Sequence, residues 1–188
     1  DIGVVNGVWR AKAEPSENLS LISLLDNVLQ FRILALGPEE RPLLMSVALI
    51  REPVSYRFVR KLFPDMQELD SIIAGLVEKR LLDEFNGKYI IPHSRLIQTL
   101  VRFVEPEELP ARYLAIARTN ETVQEFRYED TARFYLMGND QEQALVFYRK
   151  AFRSYRNLFR NEKILDIAET LFQLTSDGEE KRYYLEEM

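Results

Sequence analysis

Cysteine is absent from the 188 residues, and histidine occurs once. The chain therefore has no disulfide and no thiol chemistry, and a single histidine leaves no zinc site of ordinary type. Its seven glycines are scattered, and none belongs to a phosphate-binding loop that ends in Gly-Lys-Ser or Gly-Lys-Thr. No nucleophile elbow or Ser/His/Asp group is visible. These absences predict a segment that is not an enzyme and that holds no cofactor or metal of its own.

Long apolar runs are also missing. No stretch reaches the roughly 18 residues of a membrane span, and the first residues lack the basic start and apolar core of a signal peptide. We therefore expect no membrane segment and a cytoplasmic location. The chain begins without Met, and residues 179–185, close to its last residue, look like the start of another helix. We expect both ends to be cut from a longer protein.

The central stretch, residues 65–93, has the pattern of a helix followed by a β-hairpin. Asp65 and Glu68 have the spacing of a capping box at a helix start. Asn86-Gly87 is a favoured two-residue hairpin turn, because both residues tolerate positive φ. The predicted helix has one apolar face, formed by Leu69, Ile72, Ile73, Leu76 and Leu81.

Shorter helices are predicted before and after this stretch. Ser20 is a plausible N-cap for a helix that reaches Leu36, Pro38-Glu39-Glu40 begins the next helix, and Ser55 caps a short third one. Pro92-His93-Ser94 begins a helix that reaches Val104. The order of elements predicts a winged helix over residues 19–104. Residues 1–18 are predicted to be a linker with a short extended remnant around Asn6-Gly7.

The pattern changes at Glu105 to Pro110, an acidic, proline-bearing stretch that we take as a domain boundary. Residues 105–188 are predicted to be a tetratricopeptide-like helical domain. We expect its helices at residues 113–118, 123–137, 140–159 and 161–174. One repeat unit fits, and a generic helical bundle is the alternative. The small and aromatic packing positions of that unit are Ala132, Tyr135, Asn139, Ala144, Tyr148 and Ala151.

Charge argues against a general nucleic-acid-binding protein. The net charge is −5 and the isoelectric point is near 5.2, whereas affinity for nucleic acid comes largely from neutralising phosphates. The helix that would enter a DNA groove, Asp65 to Arg80, carries four acidic side chains against two basic ones. A winged-helix DNA-binding transcription regulator and a simple helical-repeat scaffold remain alternative interpretations.

The order of these motifs resembles the segment that follows the nucleotide-binding domain in signal-transducing NTPases of the STAND class. The resemblance is strongest to the bacterial proteins in which a P-loop domain is fused to kinase, cyclase or regulator modules. It covers residues 8–174, and the order of the motifs is more specific than any one of them. The residues that carry it are Gly7-Val8-Trp9, Leu24-Leu25, Leu36 to Leu44, Leu69 with Ile72, Leu76 to Leu82, Tyr89 to His93, Leu96-Ile97, Asp130 to Tyr135 and Ala144-Leu145.

The resemblance implies a regulatory segment that couples the nucleotide state of an upstream P-loop domain to partner binding. ATP and ADP are implied for that missing domain, and a protein or peptide partner is implied for the helical repeats. In the family, a His in a Met-His-Asp motif at the end of the wing approaches the β-phosphate of ADP. His93 stands at this place, although Pro92 and Ser94 replace the Met and the Asp. The alternative is a His satisfied locally at a strand-to-helix junction, with Ser94 capping the helix.

Overall fold

The computed structural model describes residues 2–5, 8–11, 27–158 and 161–187. This part of the chain is mostly helical, with ten helices and five short strands. The strands are β1 (Ile2–Val5), β2 (Val8–Ala11), β3 (Val54–Ser55), β4 (Asp83–Phe85) and β5 (Lys88–Ile90). The helices are α1 (27–34), α2 (Glu40–Ile50), α3 (Tyr56–Leu62), α4 (Leu69–Glu78), α5 (Ser94–Arg102), α6 (Leu109–Val123), α7 (Tyr128–Met137), α8 (Gln141–Asn157), α9 (Asn161–Leu174) and α10 (Gly178–Glu187).

The predicted hairpin is confirmed. β4 and β5 pair antiparallel, with Phe85 opposite Lys88, and the turn residues Asn86 and Gly87 have φ of 52° and 71°. β5 also pairs with β3, so the three-stranded sheet has the order β3-β5-β4. Ser55, the last residue of β3, is also the N-cap of α3. Its hydroxyl accepts from the Phe58 backbone N–H, as the sequence predicted.

The predicted start of α4 was wrong. The helix begins at Leu69 rather than Asp65, and its N-cap Glu68 makes no side-chain capping bond. The Met66 backbone N–H donates to the Phe63 carbonyl, and the Met66 side chain is buried. This turn holds residues 63–66 outside the helix, so the capping box does not form. The apolar face is confirmed in part, because Leu69, Ile73 and Leu76 are buried.

Several predictions for the first residues lie outside the described part of the chain. The Ser20 cap, the linker after Ala11 and the Asn6-Gly7 turn all belong to this group. The two extended pieces around that turn are described, and they form β1 and β2, which pair antiparallel. Residues 27–34 are helical, and Ile33 is buried in the core.

The boundary between α6 and α7 also differs from the prediction. α6 runs from Leu109 to Val123, whereas the sequence pattern predicted a helix over 113–118 and another from Val123. The helix ends because Gln124 has φ of 55° and its N–H bonds to the Asn120 carbonyl, which is a left-handed C-cap. α7 begins four residues later, at Tyr128. The two helices are thus separated by a short loop, 124–127.

The helical half contains a second helix pair, α9 and α10, packed beyond α8. A spacing of 36 residues relates this pair to the one repeat unit that the sequence predicted. Ala168, Leu171 and Tyr184 lie 36 residues after Ala132, Tyr135 and Tyr148, and all six side chains are buried. The sequence pattern did not show that the α9–α10 pair corresponds to the α7–α8 pair, because Glu180, rather than a small residue, stands 36 residues after Ala144.

Glu180 is tolerated there because it is fully engaged. Its two carboxylate oxygens each lie 2.6 Å from a nitrogen of the Arg149 guanidinium, and it also accepts from the Thr175 and Tyr184 hydroxyls. The Arg149 hydrogen bonds, with those of Tyr184 and Thr175, lower the pKa of Glu180 to about 2. Burial and the bond to Glu180 raise the pKa of Tyr184 to about 12.

We expect Glu180→Gln to lower the free energy of unfolding by about 1–2 kcal/mol at pH 7, because a charged bidentate contact at a partly screened site is lost. Folding lowers the pKa of this carboxyl, so its stabilising contribution is present above its ordinary value of 4.5 and is lost as the pH falls toward about 2. The difference in the free energy of unfolding between wild type and variant should therefore shrink in urea titrations between pH 5 and pH 3.

The control is Glu186→Gln, which removes an exposed ion pair with Arg182 and should change the free energy of unfolding little. A difference that stays constant over this pH range would contradict the assignment.

The predicted boundary stretch, Glu105 to Pro110, covers the turn after α5 and the first two residues of α6. α6 nevertheless packs against α3 and α2, so the two halves share an extensive contact. α6 and α7 also pack closely against each other. A Cβ on Gly138, at the end of α7, would lie 2.7 Å from Leu114 side-chain carbons and 3.2 Å from the Leu114 backbone N of α6. In the described part of the chain, no helix is both long and apolar enough to cross a membrane.

Candidate functional site

His93 is the one site residue that the sequence singled out. It is the N-cap of α5, with extended φ and ψ of −129° and 125°, and its side chain makes no capping bond. The residue is exposed, at the end of the segment that leads out of β5. Ser94 is the first helical residue rather than the N-cap, so the capping role predicted for it was wrong. The imidazole is thus accessible to a group outside the described residues.

A groove that sequence reasoning missed lies between the end of α6, the loop 124–127, the start of α7 and the second half of α8. Its volume is about 500 Å³. The aromatic side chains in its lining are Phe126, Tyr128, Phe147 and Tyr155. Tyr128 and Leu158, which also belong to the lining, are 46% and 60% exposed. The groove is open to solvent and partly apolar, and its volume lies in the range of ligand sites in proteins.

The acidic groups of this groove are already engaged. Glu129 accepts from the Tyr155 hydroxyl at 2.8 Å and from Lys163 at 3.4 Å. Burial and this bond to Glu129 raise the pKa of Tyr155. Glu121 accepts from the Tyr135 hydroxyl. These carboxylates therefore hold helices together and have less capacity to bind a ligand.

The two basic side chains in the groove lining, Arg127 and Lys150, differ in whether they are paired with a carboxylate. Arg127 pairs with Asp130 at 3.2 Å, and this hydrogen bond raises the pKa of Arg127. The ammonium of Lys150 lies 4.2 Å from the centroid of the Phe147 ring and has no carboxylate partner among the described residues. Lys150 thus places an exposed positive charge over the Phe147 ring in the lining of the groove, whereas the charge of Arg127 is paired.

A second surface is formed by α4 and the β4–β5 hairpin. Asp70, Ala74 and Glu78 share one exposed face of α4, and Glu84 faces it from the hairpin across a shallow groove. A hydrogen bond with Asp70 raises the pKa of the Tyr56 phenol. This surface is therefore acidic, as the charge count of the sequence indicated. Among the described residues, no group of three His, Asp or Glu side chains converges as metal ligands would.

Sequence reasoning missed the groove because its lining residues come together only when α6, the loop 124–127, α7 and α8 pack. Tyr128 is exposed at the start of α7, whereas Phe147 is buried and packs against Tyr135 of α7. His93 and the groove lie on different elements and share no contact among the described residues.

The fold and the groove define a mostly helical protein that contains tetratricopeptide-like helix pairs and a small three-stranded sheet. No protein-family model and no curated protein matches the sequence. Among solved structures, the chain is similar to a Signal Transduction ATPase with Numerous Domains (STAND) protein with a tetratricopeptide repeat sensor, from Pyrococcus horikoshii. The similarity covers 82% of this chain, with a TM-score of 0.64 and 14% identity. The chain spans 23% of the length of that protein, and at this identity the likeness concerns the fold alone.

Proposed function

We propose that the chain is a non-catalytic regulatory and protein-interaction segment of a signal-transducing NTPase. In this proposal, it couples the nucleotide state of an upstream P-loop domain to the binding of a protein or peptide on the helical repeats. The observation that carries the proposal is the shared fold, over 82% of this chain, with a STAND protein that has a tetratricopeptide repeat sensor. The aromatic groove beside α7 and α8 supports the binding role.

Residues 19–104 are proposed to act as a winged helix within that segment. The support is the order of α2, α3 and α4 before the β4–β5 hairpin, together with the third strand β3. The exposed face of α4 argues for a protein contact rather than a DNA contact. Asp70, Glu78 and Glu84 would face the phosphates, and like charges repel.

His93 is proposed to contact a nucleotide phosphate in the longer protein. Its exposure supports this role, because an imidazole that makes no capping bond is free to turn toward an anion. The extended backbone before α5 places the side chain at the positive end of a helix, which also favours an anion.

The test uses a longer chain that contains this segment and its upstream P-loop domain. His93→Ala is expected to speed ADP release by about tenfold, the value of one lost charge-assisted hydrogen bond. Release is measured with a fluorescent ADP analogue. The matched control is Gln98→Ala on the exposed face of the same helix, which should leave release unchanged.

The melting temperature separates the nucleotide role from the local one. Because His93 is exposed, His93→Ala should leave it unchanged in the isolated segment. A lower melting temperature with unchanged ADP release would show that His93 has a local structural role. If removing the whole segment altered neither ADP release nor ATP hydrolysis, the coupling proposal would fail. A protein that still bound peptides would then be a simple scaffold.

A further inference from the structure

The loop between α6 and α7 contacts both halves of the chain. The Glu125 side chain, 7% exposed, accepts from the Ser55 backbone N–H at 2.7 Å and from the Ser55 hydroxyl at 2.5 Å. It also forms an ion pair with Lys88 at 3.1 Å. Ser55 and Lys88 are opposite each other in the pairing of β3 with β5. One buried carboxylate of the helical half therefore binds two adjacent positions of the sheet.

The residues on either side of Glu125 belong to the groove. Gln124 and Phe126 both line it. The Phe126 ring also packs edge-on against Phe58 of α3, with centroids 5.1 Å apart. Within the loop, the Asn120 side-chain carbonyl accepts from the backbone N–H groups of Glu125 and Phe126, both at 2.9 Å. Three consecutive residues of this loop thus connect the groove on one side with α3 and the sheet on the other.

We propose that Glu125 is the positioning residue through which occupancy of the groove is transmitted to the three-stranded sheet. An occupant that contacts Gln124 and Phe126 restrains this loop, and Glu125 belongs to the same backbone segment. A buried carboxylate is strongly destabilised when its partners leave, so Ser55 and Lys88 follow the loop rather than separate from it. The inference rests on the proposed role of the groove as a binding site. It adds the route by which binding reaches the first half of the chain.

The Ser55 amide reports on this contact directly, because its N–H is bonded to Glu125. Ser154 lines the groove on α8, so Ser154→Trp places an indole in the groove as a built-in occupant. We expect the Ser55 amide to exchange with solvent at least about threefold more slowly in this variant, because loop opening becomes rarer. Exchange is measured by NMR. The matched control is Arg153→Trp, which adds the same ring at an exposed neighbouring position outside the groove and should have no effect.

Removing the Glu125 carboxylate should abolish the coupling between the groove and the Ser55 amide. In Glu125→Ala the Ser55 amide should exchange at least about tenfold faster, and adding Ser154→Trp should no longer slow it. Glu125→Gln is the second variant, since it keeps an acceptor for the N–H but loses the ion pair with Lys88. In the Glu125→Gln background, the slowing of Ser55 amide exchange by Ser154→Trp should be at least about twofold smaller than in the wild-type background.

The proposal is overturned if Ser154→Trp leaves the Ser55 amide unchanged in the wild-type background, or if it slows exchange equally with and without Glu125. No partner or nucleotide is needed for this measurement. Its failure is therefore distinct from a failure of the proposed function, which is decided by ADP release from the longer chain.

Discussion

Phe134→Ala should lower the free energy of unfolding by about 3–5 kcal/mol, the usual cost of deleting a buried aromatic ring. Phe134 is 1% exposed and stands in the middle of a chain of four rings. Its ring stacks on Tyr113 at 6.3 Å and meets Phe126 edge-on at 6.2 Å, and Phe126 in turn contacts Phe58. The four rings come from α3, α6, α7 and the loop 124–127. A cavity at the centre would therefore loosen the contact between the two halves of the chain as well as the repeats.

The measurement is urea unfolding followed by circular dichroism, with the midpoint and the m-value both reported. Tyr128→Ala is the matched control, because it removes an aromatic ring from the same helix at a position that is 46% exposed. It should change stability by less than about 1 kcal/mol. Equal losses in the two variants would contradict the central role of Phe134.

Asn120→Ala should have the second large effect. We expect it to lower the free energy of unfolding by about 2–4 kcal/mol. Asn120 is buried, and all of its hydrogen-bonding groups are engaged. Its carbonyl accepts from the N–H groups of Glu125 and Phe126, and its amide donates to the Phe126 carbonyl at 3.1 Å and to the Thr131 hydroxyl at 2.7 Å. Alanine leaves these backbone groups without their partner, and this desolvation penalty exceeds the net value of a single hydrogen bond.

The control for Asn120 lies one half-turn along the same helix. The exposed Thr122 hydroxyl makes a long contact of 3.5 Å with the Arg118 carbonyl, so Thr122→Ala should change the free energy of unfolding by at most about 0.5 kcal/mol. Amide exchange of Glu125 and Phe126 should accelerate in Asn120→Ala only. If these two amides stayed protected, the loop would be held by the packing of Phe126 rather than by Asn120.

Local patterns in the sequence were enough to predict most elements. The hairpin at Asn86-Gly87, the Ser55 cap and α9 were predicted correctly, because each depends on backbone hydrogen bonds between residues close in the chain. Helix ends were predicted less well. The α4 start moved to Leu69 because a turn around Met66 competes with the capping box, and α6 extended to Val123 because Gln124 supplies a left-handed cap.

The sequence by itself determined that these 188 residues have no thiol chemistry, that their second half is helical, and that the segment forming α4 carries more acidic than basic side chains. Composition and short-range periodicity are sufficient for such statements. Only the tertiary structure decided that Glu125 binds Ser55, 70 residues away, that Glu180 can replace a small residue because Arg149 faces it, and that a groove forms beside Tyr128. The physical reason is that a buried charge is acceptable only with its partner in place, and its partner is chosen by packing between distant segments.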